Sequence, residues 1–407
     1  MNPLVTNESP LRQGKILGLN PNVFFLGMVS LLTDTSSEMI FTLLPLFLSE
    51  LGTATIIIGL IGGLSDGIDA IFRIFSGWLS DKVGKRKSLA VLGYSISTVV
   101  KPFMYLATSW GSVLVIRFSD RVGKGIRSSP RDALIADSVT AEERGKGFGL
   151  HRAMDTFGAV LGLAVAAIII YLVQSGGLEL SLKTYQWLVL VGFVPAVLAV
   201  LVLLVFVREK KSSPASQNGL ALSRLRVGFD TRFKLFLAIM AVFSLGNSSN
   251  FFVILRAQNL GSPVVYVTLM LVLFNVTYAA SSLPAGMLSD RLGRRWVIAL
   301  GWFIYAMVYL GFAVASSLWQ VWLLFAGYGL YYGVVEGVSR AFVADLVPEE
   351  KRGTAYGLYN GVVGLTLLLA SLIAGWLWDV INPAAPFYFG AGLAFLAMLG
   401  MMGLIRE

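Results

Sequence analysis

Runs of about 20 mostly apolar residues, each closed by a short charged turn, recur from Asn22 almost to the C-terminus. A helix needs about 20 residues to cross the hydrocarbon core of a bilayer. Runs of that size fit near 22–48, 55–80, 88–108, 111–137, 145–173 and 185–207. A second set fits near 233–256, 263–288, 296–316, 319–345, 353–379 and 384–405. Composition agrees: 56% of the residues are hydrophobic and 14% charged, against roughly 45–50% and about 25% in soluble domains. The expected fold class is an all-α polytopic membrane protein, with about twelve transmembrane helices in two pseudo-symmetric six-helix bundles. The expected division is a cytoplasmic tail (1–21), a first six-helix half (22–208), a polar linker (209–231) and a second half (232–407).

The net charge of +9 sits in short loops between apolar runs, not on a nucleic-acid-binding face. One set of loops holds Lys82, Lys85, Arg86 and Lys87, then Arg144 and Lys146, then Arg291, Arg294 and Arg295, then Lys351 and Arg352. The opposite loops hold little beyond Glu50, Glu179, Lys183, Arg256 and Asp379. Lys/Arg excess marks the cytoplasmic side, so both termini are expected in the cytoplasm of a multi-pass cell (inner) membrane protein. The absence of cysteine excludes thiolate metal sites and thiol nucleophiles. No phosphate-cradling G-x-x-x-x-G-K-[ST] exists, so ATP-driven transport is not supported. Gly63-Leu64-Ser65-Asp66-Gly67 matches G-x-S-x-G but lies inside a predicted span with no base in view, so an enzyme is not expected.

Two turns are copies of each other. Gly77-Trp78-Leu79-Ser80-Asp81-Lys82-Val83-Gly84-Lys85-Arg86 follows the second run, and Gly286-Met287-Leu288-Ser289-Asp290-Arg291-Leu292-Gly293-Arg294-Arg295 follows the eighth. A second landmark repeats at nearly the same offset. Asp137 precedes Arg144 and Gly145, and Asp345 precedes Arg352 and Gly353. The double G-x-L-S-D-x-x-G-[KR]-R turn resembles the signature of the major facilitator superfamily, and the resemblance covers essentially the whole chain. It implies a secondary transporter working by alternating access. It also implies a cytoplasmic gate at Gly77, Asp81, Gly84, Lys85, Arg86, Asp137 and Arg144, echoed at Gly286, Asp290, Gly293, Arg294, Arg295, Asp345 and Arg352. In family members the loop aspartate sits near the N-terminus of a helix of the other half, where a helix dipole favours a carboxylate. The alternative is that these loops only hold orientation.

Ionisable groups inside spans are costly in lipid and mark function by default. The first span carries Asp34 and Glu38, four apart and on one face. They suit a proton-coupling site, a binder of cationic groups, or a structural ion pair. The second span holds Asp66, Asp69 and Arg73, the last two spaced to neutralise each other. Lys101 is a lone cation that needs a carboxylate, with Asp34, Glu38 or Asp66 as candidates. The fourth span carries Arg117, Asp120, Arg121, Lys124 and Arg127, which must face protein, water or an anion. They make either an electropositive cavity wall or an internal network with Asp34, Glu38, Asp120 and Asp155. Superfamily antiporters often carry R-x-x-Q-G-x-G here. Arg117, Gly123 and the following Gly125 match it, whereas Asp120 and Arg121 replace its Gln and Gly. His151, the only histidine, suits helix-end packing or a pH-sensitive gate.

The second half offers mostly neutral polar atoms, at Asn247, Asn250, Asn275, Tyr278, Tyr332 and Asn360, with Glu336 and Arg340 as an i, i+4 pair. Of these, Asn247, Asn250, Asn275, Tyr278, Tyr332, Glu336 and Asn360 are the candidate substrate contacts. The central-cavity and proton-coupling candidates are Asp34, Glu38, Asp66, Asp69, Arg73, Lys101, Arg117, Asp120 and Arg121. The expected function is proton-coupled efflux of a small organic solute, with a proton gradient as energy source and no cofactor or metal. The alternatives are uptake or facilitated diffusion of an anionic metabolite or metal chelate, and a non-transporting membrane sensor. The expected partners are the solute and the lipid bilayer, with no nucleic acid and a monomeric chain.

Overall fold

The computed structural model of the protein describes residues 16, 20–83, 85–140, 143–174, 177–209, 229–348 and 352–404. Most of the expected tail and linker, and Gly84 of the first turn, lie outside the described residues, as do the side chains of Asp66, Asp81, Arg144 and Arg352. The first half contains α1 (Pro21–Phe41), α2 (Leu44–Glu50), α3 (Thr55–Val83), α4 (Arg86–Val100), α5 (Trp110–Asp137), α6 (Arg144–Gln174) and α7 (Leu182–Phe206). The second contains α8 (Thr231–Gly246), α9 (Phe251–Asn259), α10 (Val264–Leu292), α11 (Arg294–Val314), α12 (Leu318–Asp345), α13 (Arg352–Val380) and α14 (Ala385–Leu404). Among the described residues, eleven segments are long and apolar enough to cross a membrane, with α1–α2 and α8–α9 each counted as one. The twelfth is α5, which has the length at 28 residues but too much charge to qualify by composition.

Helix starts are set locally. The Asn20 side chain accepts the Asn22 N–H and Pro21 occupies the first turn of α1, where a missing N–H costs nothing. Ser109 and Ser112 form a capping box on α5, as Ser317 and Gln320 do on α12. Three expected spans are interrupted. The first breaks at Thr42–Leu43, and α2 restarts with Pro45 in its opening turn, because proline cannot supply the N–H of a continuing helix. The third ends α4 at Val100 and finishes as a 3₁₀ turn, Lys101–Leu106, around Pro102. The seventh breaks between α8 and α9 at Asn247-Ser248-Ser249-Asn250, four polar residues whose side chains compete with the helical ladder. The Phe251 N–H accordingly donates to Ser249 Oγ at 3.4 Å.

Within the first half α1 packs on α6 and α7, and α5 lies between α3 and α4; within the second, α10 packs on α12, and α11 on α12 and α14. The halves meet along α3–α13 and α6–α10, and more lightly where α2 approaches α9. Glycines permit the close crossings. A Cβ on Gly123 would lie 2.7 Å from the Gly93 carbonyl oxygen, and one on Gly125 would lie 2.5 Å from Phe72 Cβ. Thus α4 and α3 close over α5 and keep its charged face from lipid.

The end opposite the repeated turns is closed by contacts between the halves. Asp379, near the end of α13, accepts the Thr55 and Ile56 N–H groups at the start of α3, at 3.3 and 2.9 Å. A carboxylate at a helix N-terminus meets both its free donors and its dipole. The Val264 N–H reaches the Gly177 carbonyl at 3.3 Å on the same side. At the turn end, the ion pairs seen among the described residues run within each half. Arg86 pairs with Asp137, and Arg294 with Asp345 at 3.1 Å and Asp290 at 2.8 Å. Arg86 and Asp137 each stand 208 residues before Arg294 and Asp345. The two landmarks of the repeat are therefore the two ends of one ion pair, made once per half.

Gly293 links α10 to α11 with φ +89° and ψ 141°, a conformation only glycine adopts without strain. Gly293→Ala should cost about 1–3 kcal/mol, read as a lower midpoint of thermal unfolding in detergent. Gly286→Ala is the comparison. A Cβ there meets no atom within 4 Å, so that variant should match or slightly exceed the parent.

Candidate functional site: a charged cavity between the halves

A cavity of about 520 Å³ lies where the two halves face each other. One wall is α1 and α5, with Asp34, Glu38, Arg117, Asp120, Arg121, Lys124 and Arg127; the other holds the α8–α9 break with Asn275 and Tyr332. The α5 residues recur at three- and four-residue steps and so share one helix face. Of the sequence candidates, Asp34, Glu38, Arg117, Asp120, Arg121, Asn247, Asn250, Asn275 and Tyr332 line this cavity. Lys124 and Arg127, which the sequence placed with the charged face of the fourth span, line it too, and so does Ser249, which the sequence did not single out.

The buried charges pair in a specific way. Asp120 sits between two arginines, 3.3 Å from Arg117 and 3.7 Å from Arg121. Arg117 also stacks on the Phe41 ring at 4.4 Å. Arg127 lies over the Tyr94 ring at 4.3 Å, and among the described residues no carboxylate comes within ion-pair distance of it or of Lys124. Lys124 and Arg127 thus face the cavity without a direct ion pair, with Asp69 and Asp34 the carboxylates that act on Lys124 from a distance.

Asp34 and Glu38 do not pair with each other. Thr42 Oγ donates to Glu38. Asp34 lies within hydrogen-bonding reach of Asp155 on α6, which also accepts from Ser30 Oγ at 2.7 Å and from Arg152 at 3.2 Å. Lys101 differs from expectation as well. Its partners are the hydroxyls of Ser36 and Ser37, at 2.7 and 3.1 Å, rather than a carboxylate. It is fully buried in the 3₁₀ turn and does not line the cavity.

Other candidates lie elsewhere. Asp69 and Arg73 pair with each other at 2.8 Å, as their spacing suggested. Asn360 is exposed on α13 and does not line the cavity. Tyr278 and Glu336 form a bridge between the halves. Arg152 of α6 donates to Tyr278 Oη at 2.7 Å, and Tyr278 donates to Glu336 at 2.5 Å. Arg340 completes it, 3.1 Å from Glu336. Arg152 and Asp379 were not anticipated as contacts between halves, because their partners lie in the other half. His151 is buried in α6. Of the α12 tyrosines, Tyr328 and Tyr331 are packed into the second half and Tyr332 faces the cavity.

Removing one partner of a buried pair strands the other charge, which costs on the order of 3–5 kcal/mol. Asp120→Asn should therefore lower the thermal midpoint clearly. Ser119→Ala, whose hydroxyl only back-bonds to the Val115 carbonyl at 2.9 Å, should leave it nearly unchanged.

The architecture and sequence match known proteins over nearly their full length. The family model described as Major Facilitator Superfamily matches residues 26–237 and again 235–407. An uncharacterized MFS-type transporter of Methanocaldococcus jannaschii is 40% identical over 390 residues, covering 94% of each chain. The cis,cis-muconate transport protein of Acinetobacter baylyi is 24% identical over 371 residues, 86% of each. Among solved structures, a mutant form of the nucleoside transporter NupG superposes with a TM-score of 0.80 at 14% identity, covering 94% of this chain and 100% of that one. Span number, duplication, the α3–α13 and α6–α10 seams and these matches agree: the chain is a multi-pass membrane protein that belongs to the Major Facilitator Superfamily, a family of transporters and not of enzymes.

Proposed function

We propose that this protein carries a small organic anion across the membrane by alternating access, with a proton as the coupling ion. The observation that carries the reading is the pair of α5 cations that face the cavity without a direct ion pair. Lys124 and Arg127 face a cavity in which Asp120 is already engaged by Arg117 and Arg121, and Asp34 and Glu38 are engaged by Asp155 and Thr42. Ionisable groups held inside a membrane protein are costly unless they meet a partner or a pathway. A solute carboxylate or phosphate supplies that partner, and an arginine fork suits either. A volume of about 520 Å³ falls in the usual range of small-molecule sites, roughly 300–1,000 Å³. The muconate transport protein among the relatives supports the same chemistry.

The Asp34–Asp155 contact supplies a place for the coupled proton. Loss of that proton sets two carboxylates against each other at the α1–α6 seam, next to Arg152 and its bridge to Tyr278 of the second half. Loading and unloading the proton thus biases the two states of the cavity differently, as any coupling ion must. The Lys/Arg excess puts the repeated turns and both termini in the cytoplasm, and the turns serve as the gate at that face. The net direction follows from the sign of coupling: exchange for protons drives the anion outward, as expected from the sequence, and co-transport drives it inward.

The test is transport in proteoliposomes with an imposed pH gradient, using labelled mono- and dicarboxylates, cis,cis-muconate among them. The protein should move one or more of these acids and not their carboxamide analogues. Lys124→Gln should reduce anion flux about tenfold or more, the worth of a charge-assisted hydrogen bond of about 1.5–3 kcal/mol. Asp34→Asn should abolish gradient-driven accumulation while leaving exchange. Flux of neutral or cationic solutes that Lys124→Gln and Arg121→Gln leave unchanged would contradict the anion reading. Accumulation indifferent to the pH gradient would contradict proton coupling.

A further inference from the structure

The second-half wall contains a side chain held in an uncommon way. Asn250 is the N-cap residue of α9, yet its side chain does not cap that helix. Asparagine at an N-cap ordinarily accepts a backbone N–H of the first turn. Here the Asn250 amide oxygen accepts two tyrosine hydroxyls instead, Tyr328 at 2.7 Å and Tyr332 at 3.0 Å. The two tyrosines stand one turn apart on α12. Tyr328 is buried against the Tyr331 ring, with centroids 5.9 Å apart, and Tyr332 packs edge-on to Phe274 at 5.3 Å. Neither hydroxyl can follow the amide if it turns.

The consequence is a fixed orientation. With both lone-pair directions of its oxygen used, Asn250 has only its amide N–H groups left to offer. Asn250 is exposed and lines the cavity, and among the described residues its amide nitrogen donates to no protein group. Two backbone N–H groups of the break are met by serine hydroxyls, while the Asn247 amide oxygen stays buried without a partner. The Phe251 N–H goes to Ser249 Oγ, and the Ser249 N–H goes to Ser371 Oγ at 3.1 Å. So the wall facing the cations of α5 presents a preset hydrogen-bond donor with no carboxylate beside it.

We infer that Asn250, oriented by Tyr328 and Tyr332, is a specificity-determining residue that selects anions carrying a second hydrogen-bond acceptor at the end remote from the group held by α5. The inference rests on the reading of the solute as an anion and adds what its other end must be. A carboxylate, carbonyl or hydroxyl oxygen there meets the amide. A methyl group leaves two donors facing the cavity without a partner, and sites built to hydrogen-bond a solute discriminate strongly against analogues that lack the group. Tyr328 and Tyr332 are positioning residues.

The experiment compares adipate with hexanoate, six-carbon acids that differ at the far end, in proteoliposomes containing the full chain. Wild type should favour adipate at least tenfold in initial rate per unit concentration. Asn250→Ala should bring that ratio near one by slowing adipate, with hexanoate little changed. Asn250→Asp should take it below one, since a second carboxylate then faces like charge. The double variant Tyr328→Phe and Tyr332→Phe should fall between wild type and Asn250→Ala, because the amide is retained but free to turn. A purely structural pin at the α8–α9 break would lower both rates together and leave the ratio intact, which overturns the inference. Equal handling of the two acids by wild type overturns it as well, while Lys124-dependent flux of both would leave the anion reading standing. Should Asn250→Ala move neither acid, thermal stabilisation of the purified variant by each acid gives the same ratio at equilibrium.

Discussion

A transmembrane helix with five charged residues on its inner face must find partners for them or leave the bilayer. That constraint organises the first half of this protein. Asp120 is held between Arg117 and Arg121, Arg117 and Arg127 lean on aromatic faces, and glycines at positions 93, 123 and 125 let α3 and α4 close over the helix. The charge that remains points into the cavity. An ion pair in a low-dielectric interior stabilises little in itself, but losing one member is severe. The α5 network therefore holds cations without direct ion pairs in a chosen place, which is where the proposed anion would bind.

The halves divide the work. The first supplies charge and the carboxyl contact between α1 and α6. The second supplies neutral donors on a broken helix, where backbone irregularity is tolerated because it lines a polar cavity instead of facing lipid. Breaks occur in the first and seventh spans, the corresponding positions of the two halves. Broken helices near the midplane are a recurring way to build solute sites in transporters. Asp379 on the start of α3 and the Arg152–Tyr278–Glu336 bridge then tie the halves at two levels of the seam.

Span number, fold class and duplication were legible in the sequence because they depend on length and composition, which lipid reads directly. The repeat was legible in finer detail than its motif suggested, since Arg86 and Asp137 recur as Arg294 and Asp345 and make the same pair. Pairing inside the membrane was not legible. Spacing places Asp34 and Glu38 on one face and puts Thr42 one turn beyond Glu38, but helix rotation and the neighbour's register decide that Asp34 faces Asp155 of α6. The same holds for Lys101, which finds two serines of α1 instead of an acid. The break at Asn247–Asn250 had a sequence signal, four consecutive polar residues in an apolar run, yet the expected span ran through it. Asp379 carried no local signal, because its role depends on the N-terminus of a helix 324 residues away.

The central claim is that an anion completes the charge balance of α5. Its most direct measurement is the thermal unfolding midpoint of the purified protein in detergent, titrated with carboxylic acids and with their uncharged carboxamides at one pH and ionic strength. A bound solute stabilises the fold by about 2.7 kcal/mol at one hundred times its dissociation constant. The account predicts a saturable rise in midpoint with one or more carboxylates, none with the matching carboxamides, and loss of the rise in Lys124→Gln. Equal stabilisation by acid and carboxamide, or a rise that survives Lys124→Gln undiminished, would contradict it.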